Sequence, residues 1–66
     1  VSFDLDMANT IRKYLAEVES RDLTTEEILR WPRWERVWVW WKALERYEGK
    51  PKSVLSLDEV KKIYGE

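Results

Sequence analysis

Sixty-six residues carry twelve basic and thirteen acidic side chains, a net charge of −1, with no Cys and no His. That length supports one domain, and the composition excludes disulfide or zinc staples, thiol nucleophiles and histidine acid–base chemistry. The longest apolar run, Val37 to Trp41, holds five residues, where a membrane span needs about 20.

The first predicted element begins at Met7. Met7, Ile11, Tyr14, Leu15 and Val18 recur at helical spacing and fall within an arc of about 100°, a single apolar stripe. Asp4 or Asp6 is placed to cap its start, because a short carboxylate accepts from the free first-turn amides. Ser20-Arg21-Asp22 ends it. Leu23-Thr24-Thr25-Glu26-Glu27-Ile28 then carries a capping box, with Thr24 as N-cap, Glu27 reaching back and Leu23 stapling onto Ile28. This second helix is short, because Pro32 has no amide proton and turns Trp31 away from helical dihedrals. One kinked helix from Thr25 to Tyr47 is the alternative.

The third helix is expected over residues 32–47, with Pro32 as its first residue, Gly49 as a left-handed stop and Pro51 beyond. Val37 to Trp41 has the composition of a strand, but the flanks Arg33-Trp34-Glu35-Arg36 and Lys42-Ala43-Leu44-Glu45-Arg46 contain no turn residue and favour helix. After a basic loop, residues 48–55, the capping pattern recurs: Ser56 pairs with Glu59, and Leu55 staples onto Val60. The last helix, Leu57 to Tyr64, is expected to bury Leu57, Val60, Ile63 and Tyr64 and to stop at Gly65. Together these elements predict a single all-α domain over residues 1–66, a compact bundle of three main helices plus one short one.

Four of the five tryptophans lie between Trp34 and Trp41. With Trp34 at 0° and about 100° per residue, Trp41, Val37 and Leu44 share its side and form the expected core face. Trp38 flanks one edge. Trp40, Tyr47, Arg33 and Arg36 flank the other, and Val39 points nearly opposite. The apolar arc spans about 180°, wider than a surface helix needs. Either this helix is central and packed on two sides, or Trp40, Tyr47 and Val39 form an exposed patch edged by arginines. Arg36 is spaced to stack on Trp40.

Charge is divided along the chain. Residues 1–29 carry three basic and seven acidic side chains, a net of −4, and residues 30–52 carry seven and three, a net of +4. Such a basic segment faces a polyanion or its own acidic neighbour. Charged residues make up 38% of the chain and Asn9 is the sole asparagine, a balance shared with hyperthermophile proteins.

These features point to a small non-enzymatic accessory or regulatory protein that binds a protein partner, or a second copy of itself, through the third helix. Arg33, Arg36, Val39, Trp40 and Tyr47 are its expected contacts. The alternative is a helix-turn-helix-like nucleic-acid binder using residues 30–52. Arg33, Arg36, Lys42, Arg46, Lys50 and Lys52 would then meet phosphates, and Trp40 unpaired bases. A short capped helix before a basic one, and Leu55-Ser56-Leu57-Asp58-Glu59-Val60, loosely resemble parts of small tri-helical DNA-binding domains. Against that, no Gly-containing turn separates the second and third helices, and tryptophan fills the face that would meet bases. The acidic pairs Asp4/Asp6 and Glu26/Glu27 lack a calcium-loop pattern and suit helix starts. No metal, cofactor, small-molecule substrate or membrane contact is expected, and the cytoplasm is the default compartment.

Overall fold

A computed structural model describes residues 3–49 and 55–65 of the chain. They form α1 (Phe3–Val18), α2 (Thr25–Leu29), α3 (Arg33–Glu48) and α4 (Leu57–Tyr64). This is the all-α bundle of three main helices and a short one that the periodicity predicts.

α1 starts at Phe3, a turn before the expected Met7, so Asp4 and Asp6 sit inside its first turn rather than at the N-cap. There they lie beside the unbonded amides of the positive helix end. Phe3 anchors the added turn through an edge contact with Trp40, ring centroids 5.4 Å apart. At the other end Ser20 takes a left-handed φ of 54°. The Leu15 carbonyl accepts from both the Glu19 and the Arg21 N–H groups, each at 3.0 Å.

Thr24 is the N-cap of α2, its hydroxyl accepting from the Glu27 N–H at 3.1 Å. The residues from Arg30 to Pro32 then separate α2 from α3, so the single kinked helix does not form. Pro32 stands one place earlier than expected, as the N-cap of α3 with φ −58° and ψ 150°. Its carbonyl accepts from the Glu35 and Arg36 N–H groups at 3.1 and 3.2 Å, and its missing N–H costs nothing there. Gly49 ends α3 with φ 69°, its N–H donating to the Glu45 carbonyl at 2.9 Å. Ser56 opens α4 with a full capping box: its hydroxyl accepts from the Glu59 N–H, and the Glu59 carboxylate accepts from its N–H.

α1 packs on α2 and α3, and α3 packs on α1 and α4. The buried core is Met7, Ala8, Ile11, Leu15, Ile28, Val37, Ala43 and Val60. Of the α1 stripe, Tyr14 remains half-buried and Val18 exposed. Ala8 and Ala43, absent from the expected core, are fully covered; small side chains allow neighbouring backbone to come close. Ile63, expected inside, is 60% exposed. α4 packs on α3, which covers a narrow stripe around Val60, and Ile63 lies off that stripe.

Candidate functional site

α3 holds four of the five tryptophans, and its neighbours decide how much of each ring is covered. Its Trp34 and Trp41 face α4: the Lys61 ammonium lies 4.6 Å from the Trp34 ring centre, and Trp41 meets Tyr64 edge-on at 6.2 Å. Its Trp40 and Tyr47 face α1. Trp40 meets Phe3, and the Tyr47 hydroxyl donates to Glu17 Oε1 at 2.8 Å while the Lys13 ammonium sits 4.9 Å from its ring centre. α3 is therefore the central helix packed on two sides. Trp34, Trp38, Trp40, Trp41 and Leu44 all remain half-buried, with Val37 and Ala43 as its buried residues.

The residues expected at the contact surface separate under this arrangement. Val39 does not point away from the core but is half-buried against it. Tyr47 is 37% exposed yet tied to α1 through Glu17. Partial burial, then the bond to Glu17 and its charge, push the Tyr47 phenol above its usual 10.0, with Arg46 opposing. Arg33 is exposed; Arg36 is half-buried, its Nε closed off from water without a hydrogen-bond partner. The cations found on aromatic rings are lysines, including Lys42 at 5.3 Å from the Trp38 ring centre, rather than Arg36 on Trp40.

The most solvent-facing aromatic is one that helical periodicity missed. Phe3 is 61% exposed while its edge contact holds it against half-buried Trp40. It lay upstream of the expected helix start, and its position one turn before Met7 was the available signal. Around this pair the charges are sorted: Asp4 and Asp6 stand exposed in the first turn of α1. Arg36 and Arg33 stand one and two turns before Trp40 on α3. Among the described residues, none of Arg33, Arg36, Lys42 and Arg46 forms an ion pair with a carboxylate of α1 or α2. Direct contacts among the described residues therefore do not neutralise these four cations with the carboxylates of α1 and α2.

Lys42, Glu45 and Arg46 line an open groove with Tyr14 and Val18 of α1. The remaining expected phosphate contacts, Lys50 and Lys52, lie outside the described residues, as does Pro51.

No family model, curated protein or solved structure matches this chain. Among the described residues there is no helix long and apolar enough to cross a membrane, and no cluster of three or more acidic side chains suited to a metal ion.

Proposed function

We propose that this chain is a non-catalytic protein-binding module whose contact surface centres on Phe3 and Trp40, with Arg33 and Arg36 at its edge. The observation that carries this reading is the 61% exposed Phe3 set edge-on against Trp40 at 5.4 Å. A small chain short of core gains most by burying its largest rings. An aromatic pair left at the surface is apolar area that folding did not use, and such area marks interaction sites. Trp and Arg are also the residue types that dominate binding hot spots. Val39 and Tyr47 move to the margin of the reading, since the fold already occupies them.

The test compares the parent chain with Phe3→Asp and Arg33→Glu in binding titrations at two salt concentrations. Protein partners and generic DNA and RNA serve as ligands. Protein binding lost in Phe3→Asp, with only modest salt dependence, is the expected result. Binding to DNA or RNA that falls linearly with salt on a log–log plot, and that Arg33→Glu weakens most, would replace this reading with nucleic-acid recognition.

A further inference from the structure

We infer that the occupant of this surface is a second copy of the chain, related by a two-fold axis beside the Phe3–Trp40 pair. The inference rests on the protein-binding reading above and names its partner. A two-fold interface uses the same patch on both copies, so the patch must complement itself. This one does so by chemistry. Its centre is aromatic, Phe3 against Trp40. Its α1 side carries exposed Asp4 and Asp6, and its α3 side carries exposed Arg33 and half-buried Arg36.

Within one copy, no ion pair joins those acids to those arginines. A half-turn about the aromatic centre brings Asp4 and Asp6 of each copy toward Arg33 and Arg36 of the other, twice over. An acidic foreign partner would meet Arg33 and Arg36 but be repelled by Asp4 and Asp6, and a nucleic acid would be repelled in the same way. The sequence shows the same complementarity at larger scale, −4 over residues 1–29 against +4 over residues 30–52. Arg36 adds a local reason. Its Nε is buried without a hydrogen-bond partner, and among the described residues no carboxylate pairs with its guanidinium, so a carboxylate from a second copy would supply a missing counter-charge.

Sedimentation equilibrium of the full chain, from micromolar to millimolar concentration and at low and high salt, tests this. The parent is expected to dimerise reversibly, more weakly as salt rises. Phe3→Asp should weaken the dimer at least about tenfold. Two charge-reversed chains, Asp4→Arg/Asp6→Arg and Arg33→Glu/Arg36→Glu, should each be poorer dimers alone. Mixed in equal amounts they should recover association, because both junctions then pair opposite signs. Circular dichroism confirms that each is folded, and Arg33→Glu alone serves if the double reversal at half-buried Arg36 does not fold. A parent that stays monomeric throughout overturns the proposal. If that monomer still binds another protein in a Phe3-dependent way, the protein-binding reading stands without it. A parent dimer that these substitutions leave untouched refutes the patch itself.

Discussion

Residues in left-handed backbone follow the C-terminal ends of the first helix and the third, and they differ in what the conformation costs. Ser20 holds φ 54° and Gly49 φ 69°. A side chain there meets its own carbonyl, at about 1–2 kcal/mol, which glycine avoids. Ser20→Gly is therefore expected to raise the urea midpoint slightly, part of the gain being lost to a freer unfolded chain. Gly49→Ala should lower stability by about 1 kcal/mol. Tyr47 supplies a pH-dependent term. Its folded phenol holds its proton more tightly than the unfolded one, through burial first and Glu17 second. That contribution is complete below the ordinary phenol pKa and is lost as pH climbs through the raised value. Thermal melts between about pH 8 and about pH 11 should show a decline that Tyr47→Phe flattens.

At the scale of elements, α2 is the informative case. Five residues cannot hold a helix by propensity, since nucleation alone outweighs so few backbone bonds. Tertiary contacts must do it. Ile28 is fully buried and Leu23 packs against the same core, while the Thr25 hydroxyl donates to Asn9 Oδ1 of α1 at 3.1 Å. Ile28→Ala should cost about 2–5 kcal/mol and abolish cooperative melting in so small a domain. Thr24→Ala and Ser56→Ala should each cost about 1 kcal/mol as lost N-caps. Thr25→Ala forfeits the bond to Asn9 and should also cost stability, though less than Thr24→Ala, as calorimetry of the two variants would measure. Capping chemistry made these helix starts readable, because each cap acts on an amide three residues away. The start of α1 was not readable in the same way: its first turn is held by Phe3 on Trp40, a contact distant in sequence.

The whole molecule has an accessible surface of 4633 Å², close to the ~4,500 Å² that scaling gives for a chain of this mass. Such a domain folds with little stability to spare, so its central helix needs both neighbours. Truncation after Gly49 removes α4 and bares the faces of Trp34 and Trp41 that meet Lys61 and Tyr64. We expect the truncated chain to lose its sigmoidal thermal transition and to bind a hydrophobic dye. A truncated chain that melts as cooperatively as the parent would show that α4 contributes little to the core.

The sequence by itself determined the caps at Thr24 and Ser56, the interruption at Pro32 and the stop at Gly49. These depend on backbone dihedrals and on side chains a turn away. Only the tertiary structure decided what α3 buries. An apolar arc of about 180° suits one broad neighbour or two narrow ones, and loop directions, which periodicity does not encode, brought two. That choice turned Val39 toward the core, tied Tyr47 to Glu17, and left Phe3, set against half-buried Trp40, as the most exposed aromatic.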